Sequence, residues 1–283
     1  MIRFMDMSNK IINVIKKLMS YLTAFLISIV HLIPFYILIN LAFKTRQDTS
    51  SKWIPPDYLY LNNFTDVWTQ SRLGSALLND LIITICTVAL VVFVGVLAAY
   101  PLARYPTRLN NAVYTLSIST LIVPALTVLV PLYKLVVDLH GISTYWAMVL
   151  VLTTFFLPTV IFLYTGFIRT IPRELDEAAL IDGCSRYEIF FRIIFPLLKP
   201  VTASVIIIIM LGVWNDYRFS LFLLQKRSVQ TVPLVLSQFF SQFQNNLPLA
   251  AAGSLLSMIP MALIYLFLQK YFVSGLAEGA VKG

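Results

Sequence analysis

Five stretches of this chain, Leu18–Phe43, Leu81–Tyr100, Ala112–Tyr133, Ile142–Ile168 and Leu247–Gln269, carry no Asp, Glu, Lys or Arg. Each is apolar over about 20 residues or more, the length a helix needs to cross a bilayer. A sixth, Val201–Leu224, is apolar up to Trp214, is interrupted by Asn215, Asp216 and Arg218, and resumes at Phe219. Hydrocarbon satisfies no backbone N–H or C=O, so segments of this length have to close their hydrogen bonds internally as helices. The expected fold is an all-α integral membrane protein with six transmembrane helices. Composition agrees: the 283 residues are 59% hydrophobic and 12% charged, where a soluble domain carries about 25% charged residues. That excludes a soluble globular domain, and it excludes disorder, a coiled coil or a nucleic-acid scaffold as whole-chain readings. The net charge of +8 comes without a basic run, so it points to anionic headgroups and to no nucleic acid.

Lys16 and Lys17 before the first span imitate a signal peptide, but the apolar run is too long and no small-residue cleavage site follows Phe43. The span is expected to remain as an anchor. Six spans place both termini on one side. The side holding Lys10, Lys16, Lys17, Arg104, Arg108, Arg169, Arg173, Arg186, Arg192 and Lys199 is the more basic, which makes it cytoplasmic. The expected division is a cytoplasmic N-terminus over 1–17, a membrane domain over 18–272 and a cytoplasmic tail over 273–283. The outer segment Lys44–Asp80 holds Trp53, Pro55, Pro56, Tyr58, Tyr60 and Trp68, which reads as an ordered aromatic cap. Cys86 and Cys184 are expected to be structural and His31 to be a packed polar residue. No metal-ligand spacing, Ser-His-Asp set or paired carboxylates appear.

The cytoplasmic segment 169–200 has helix signals in order. Pro172 suits a first turn, and Glu174, Asp176 and Glu177 follow where the helix dipole favours anions. Gly183 supplies a left-handed stop. Ser185 and Glu188 have capping-box spacing, which predicts a second short helix from about Arg186 to Phe195, ended by Pro196. Ile189, Phe190, Phe191, Ile193, Ile194 and Phe195 leave that helix apolar on most sides. It needs a cover: another protein, its own bundle or headgroups. Glu174 and Glu177 share a face of the first helix and suit a basic residue elsewhere.

Within the sixth stretch, Asp216 is costly in a membrane and is a functional candidate by default. On a continuous helix Asp216 and Arg218 point to different faces, so each is expected to have its own partner or to face water. They either line a path or cap a broken helix.

Glu177-Ala178-Ala179, then Asp182-Gly183, then nine residues to Ile193-x-Phe195-Pro196, resembles the EAA signature of ABC-importer permeases, with Phe195 where Leu is usual. The segment Gln269-Lys270-Tyr271-Phe272-Val273 and the ending Gly279-Ala280-Val281-Lys282-Gly283 resemble the tail of maltose-type sugar permeases. The resemblance covers essentially the whole chain. It implies a type I permease bundle in a bacterial or archaeal plasma membrane, in which the loop is a coupling helix docking on an ATP-binding subunit. Glu174, Glu177, Ala178, Ala179, Asp182, Gly183, Ile193 and Pro196 become its coupling residues. It implies a second related permease, two ATP-binding subunits holding ATP and Mg, and an extracytoplasmic solute-binding protein, with no cofactor on this chain. A G-x-x-x-x-G-K-[ST] segment is absent, so the chain is not expected to be an enzyme. Trp214, Asn215, Asp216 and Tyr217 become the expected substrate path, their donors and acceptors suiting hydroxyls and their rings the C–H face of a sugar. By position, Gln225–Pro248, with Lys226, Arg227, Gln238, Gln242, Gln244, Asn245 and Asn246, faces the binding protein. Glycerol phosphate, which Arg218 suits, is an alternative solute. An ion-coupled secondary transporter with Asp216 as its ion site is the rival of another class.

Overall fold

The computed structural model describes residues 2–241 and 246–280. Gln242, Gln244, Asn245, Val281, Lys282 and Gly283 lie outside the described residues. In chain order the α-helices are α1 (Ile2–Ala42), α2 (Asn62–Gln70), α3 (Leu73–Arg104), α4 (Arg108–Ser119), α5 (Leu129–Asp138), α6 (Tyr145–Thr170), α7 (Glu174–Ile181), α8 (Arg186–Glu188), α9 (Phe195–Leu197), α10 (Lys199–Trp214), α11 (Arg218–Leu223), α12 (Val232–Ser241) and α13 (Leu247–Ala280). There is no strand among the described residues.

Among the described residues four helices are long and apolar enough to span, and the number rises to 6 if two bent pairs each count as one. The third expected span is such a pair. It runs as Arg108–Ile122 and Ala125–Asp138 with a bend of 96°. The cause is Pro124, which has no N–H to donate and holds Val123 extended, at φ −74° and ψ 119°. The second span starts earlier than its apolar run, at Leu73, and carries Asn79 and Asp80 into the membrane domain, both buried. The tail does not separate from the last span, since α13 continues to Ala280.

The bundle centres on α3 against α6, with α10 packed on both and α13 on α10. The α3 and α6 backbones approach closely at Gly95, where a Cβ would stand 2.5 Å from Val160 Cγ1. Small residues at such points let apolar helices gain van der Waals contact where lipid leaves little hydrophobic drive. The first helix stands apart. It meets the bundle near its C-terminal end, where Leu38, Leu41 and Ala42 pack with Ala251, Ala252 and Leu255. Val14, Leu18, Phe25, Val30 and Leu32 are all exposed. His31 is also exposed and bonds Ile27 O through Nδ1 at 2.7 Å, so it is satisfied locally rather than packed.

Hydrogen bonds tie loops of the same face together. At one end Ser143 N donates to Leu223 O at 2.7 Å, Lys226 N to Ser143 Oγ at 3.0 Å, and Asn79 Nδ2 to Ser228 O at 3.0 Å. At the other, Arg104 meets the 170s loop. The bent third span therefore still joins one end to the other. The aromatic cap is ordered: Lys44, 1% exposed, donates to Ser51 O at 2.9 Å, and Asn63 Nδ2 donates to Ala42 O and Lys44 O at 2.9 and 2.8 Å. Bonds from Ser50 and Tyr58, with help from Lys44, push the Asp48 carboxyl down to about 2, so it stays ionised.

Candidate functional site: a clamped loop and a broken span

The loop after α6 is built from two short helices meeting at Gly183. The C-terminus of α7 closes with Gly183 N donating to Leu180 O at 3.1 Å and Cys184 N to Ala179 O at 2.9 Å. These are the paired bonds of a Schellman motif, and they require the φ of +84° that Gly183 adopts. Ser185 and Glu188 then form the expected capping box, with Ser185 N donating to Glu188 Oε2 at 2.9 Å and Glu188 N to Ser185 Oγ at 3.3 Å.

The second helix differs from expectation past this point. Pro196 does not end it. A π-helical turn over Ile189–Ile194, closed by Phe195 N donating to Phe190 O, widens the coil ahead of the proline ring. The chain passes through Pro196 into α9 and turns by 70° into α10 at the fully buried Leu198. A buried elbow thus joins the loop to the span. The apolar side chains divide between two covers: Ile189, Phe190 and Ile194 are buried in the bundle's own core, while Tyr187, Phe191 and Phe195 remain exposed.

Of the expected coupling residues, Glu174, Glu177, Ala178, Asp182, Gly183 and Pro196 are exposed, Ala179 is buried and Ile193 is half-buried against the core. The outer face also presents Leu180 and Ile181, the latter 87% exposed. An acidic and apolar surface projects from the bundle. What holds it there is a group that sequence reasoning passed over. Arg104, at the end of α3, reaches Asp176 Oδ2 through Nη2 at 2.9 Å and donates from Nη1 to Ile171 O at 2.9 Å. Tyr100 OH donates to Asp176 Oδ1 at 3.1 Å. The side chains of Arg104 and Asp176 are 5% and 16% exposed. The sequence offered a faint signal in Asp176, the one acid of α7 that sits out of phase with Glu174 and Glu177.

The fifth span in chain order breaks after α10. Asn215 N closes that helix on Leu211 O at 3.2 Å, and α11 begins anew at Arg218. Asp216, 4% exposed, accepts from Phe219 N at 3.0 Å and Ser220 N at 3.1 Å through Oδ1. It caps the restarted helix. The break also changes its relation to Arg218, which the continuous-helix expectation kept apart: Nε lies 3.7 Å from Asp216 Oδ2. Non-helical geometry between the two segments brings them together. The four expected path residues are not gathered in one place. Trp214 and Asn215 line a cavity of about 480 Å³ with Ser257, Met261 and Tyr265, between α10, α12 and α13. Tyr217 is exposed, and neither it nor Asp216 borders that cavity.

Substitution at Asp216 separates cap from path. Asp216→Asn keeps an acceptor oxygen and is expected to retain both membrane assembly and uptake. Asp216→Ala leaves two buried N–H groups without their acceptor, which costs about 0.5–2 kcal/mol for a lost cap, and it is expected to lower the thermal midpoint of the purified protein. Uptake lost in the Asn variant at unchanged midpoint would place the carboxylate on the path instead.

Comparison with known proteins agrees with this architecture. The chain is 48% identical over 263 residues, 93% of this chain and 95% of the relative, to the melibiose/raffinose/stachyose import permease protein MelC of Bacillus subtilis (strain 168). It is 32% identical over 256 residues, 89% of this chain and 92% of the relative, to the multiple sugar-binding transport system permease protein MsmG of Streptococcus mutans serotype c. A chain of a bacterial ABC transporter involved in import of the acidic polysaccharide alginate shares the fold, with a TM-score of 0.77 at 18% identity, covering 90% of this chain and 97% of that one. Residues 91–278, from the middle of α3 through the clamped loop and the broken span to α13, match the family described as binding-protein-dependent transport system inner membrane component, and the chain belongs to that family.

Proposed function

We propose that this chain is a membrane-spanning subunit of an ATP-driven importer that passes a sugar or oligosaccharide inward. The observation that carries the reading is the 48% identity, over nearly the full length of both chains, to a permease named for melibiose, raffinose and stachyose. The projecting loop supports it. An acidic and apolar surface, fixed by a buried ion pair and joined through a buried elbow to α10, is suited to receive motion from a partner and pass it to a span. That partner is an ATP-binding subunit, one of two, with ATP and Mg held there and no cofactor on this chain. Glu174, Glu177, Ala178, Ala179, Asp182, Gly183, Ile193 and Pro196 form the coupling element, in which Ala179 and Ile193 seat the loop and the exposed members meet the partner.

A second related permease completes the translocator. The exposed apolar surface of α1 supports this, because a helix apolar all round is covered by lipid or by another chain. An extracytoplasmic solute-binding protein delivers the solute. Both termini lie in the cytoplasm of a bacterial or archaeal cell, and the membrane is the plasma membrane. On the solute path, Trp214 and Asn215 contribute contacts from this chain and Asp216 fixes the break that presents them. The engagement of Arg218 with Asp216 and with the face of Phe219, 5.6 Å from the guanidinium to the ring centre, leaves it less available to a phosphate.

The test is uptake of labelled raffinose into proteoliposomes holding this chain, its companion permease, the ATP-binding subunits and the solute-binding protein encoded beside it. Uptake is expected to require internal ATP and to survive an uncoupler. Uptake that persists without ATP and collapses with the uncoupler would instead make this an ion-coupled transporter.

A further inference from the structure

Where the C-terminal end of α3 meets the π-helical turn, Leu97, Tyr100, Tyr105, Arg186, Phe190 and Phe191, among others, line a groove of about 440 Å³. None of its lining residues belongs to the coupling element proposed above. Tyr100 and Phe190, 8% and 4% exposed, form the floor with their ring centres 5.0 Å apart. Phe191 stands edge-on to Phe190 at 4.8 Å and remains exposed, as one wall. At the rim the guanidinium of Arg186 lies 5.1 Å from the centre of the Tyr105 ring, a stacked position that fixes where its charge sits.

The groove is apolar at one end and cationic at the other. Leu97 belongs to the uncharged run Leu81–Tyr100 and precedes Arg104 by about 10 Å along the helix axis, which sets it at hydrocarbon depth. Tyr105, Arg186 and Tyr187 stand at the opposite end, the level at which amphipathic rings and cations of membrane proteins meet headgroups. Beyond Arg186 lies a smaller recess that brings Arg104, Arg173 and Arg186 against Asp176 and Glu177. Asp176 is already held by Arg104 and Tyr100, and Glu188 is held by Arg192 at 3.2 Å. The charge left over at the rim is positive.

An acyl chain brings no polar group for an aromatic floor to satisfy, whereas an extended polypeptide brings an N–H and a C=O at nearly every residue. A phosphate matches a guanidinium through paired N–H donors. We propose that this groove binds an anionic phospholipid, with an acyl chain along Leu97, Tyr100 and Phe190 and the headgroup phosphate on Arg186. The lipid covers Phe191, which the bundle leaves exposed. It also packs on the clamp of the loop, because Tyr100 in the floor donates from its OH to Asp176 Oδ1 at 3.1 Å. The site does not depend on the importer reading.

The experiment uses the full-length protein in phosphatidylcholine vesicles that carry a trace of phosphatidylglycerol with a diazirine in its acyl chain. After illumination the labelled peptides are quantified by mass spectrometry. Label is expected on α3 around Leu97 and on the segment holding Phe190 and Phe191, and excess unlabelled phosphatidylglycerol should displace it. Arg186→Gln is expected to lower that label about fivefold, the effect of one basic residue on an anionic lipid. Phe191→Ala should lower it too, by removing a wall. Label on α1, whose apolar side chains are exposed, reports insertion and should stay constant in both variants. A phosphatidylcholine probe that labels the groove as strongly overturns the proposal, as does unchanged label in Arg186→Gln. So does displacement of the probe by soluble glycerol phosphate as effectively as by the lipid, which makes this a site for the phosphate alone. A groove left unlabelled while α1 is labelled also overturns it, and leaves the groove to a protein partner.

Discussion

Replacing Gly183 by proline is expected to abolish solute-stimulated ATP hydrolysis and uptake while the protein still reaches the membrane. Gly183 sits at φ +84°, which the pyrrolidine ring, held near −65°, does not reach. Proline also deletes the N–H that closes α7 on Leu180 O at 3.1 Å. The loop would lose its bend and its helix stop together, a penalty of about 3 kcal/mol or more in a regular helix. Alanine at the same position is the control. A Cβ there meets nothing within 4 Å, so Gly183→Ala bears only the left-handed backbone cost of about 1–2 kcal/mol and should retain most uptake. Glu177→Lys tests the same surface through charge: the residue is exposed, so folding should be unaffected and stimulated hydrolysis should fall. The measurement is ATPase rate with and without loaded binding protein in the reconstituted complex. Normal stimulation in the proline variant, at wild-type membrane level, would remove the coupling role from this turn.

The sequence made some parts of this structure readable because their physics is local. The helix stop at Gly183 and the capping box of Ser185 and Glu188 depend on residues within a few positions of each other, and both form as expected. The spans follow from apolar length alone. Other features depend on what lies across the bundle. Pro124 was visible, but in membrane helices proline is accommodated often enough that its presence does not specify a 96° bend. Pro196 was expected to stop a helix, and a π-helical turn let the chain continue. The contact of Asp216 with Arg218 depends on non-helical geometry between α10 and α11, which the polar interruption at Asn215, Asp216 and Arg218 marks without specifying. Arg104 and Asp176 stand 72 positions apart in the chain, and no local pattern pairs them.

That pair carries the second large effect. Asp176→Ala is expected to destabilise the protein by about 3–5 kcal/mol, the penalty for leaving a buried charge without its partner, because Arg104 is 5% exposed and keeps only its bond to Ile171 O. The thermal midpoint of the purified protein should fall accordingly. The double variant Arg104→Met with Asp176→Leu removes both charges and fills the space with apolar side chains. Replacing a buried pair in this way is often neutral or stabilising, so the midpoint should recover. Coupling should not. Arg104 ends α3, while Asp176 and Ile171 belong to the loop, so without the pair the loop can shift against the span before any load passes from one to the other. The expected signature is a stable double variant in which ATP hydrolysis continues with fewer solute molecules imported per ATP. Recovery of both midpoint and transport ratio would limit the pair to a role in folding, and an unchanged midpoint in Asp176→Ala would contradict the burial on which the argument rests.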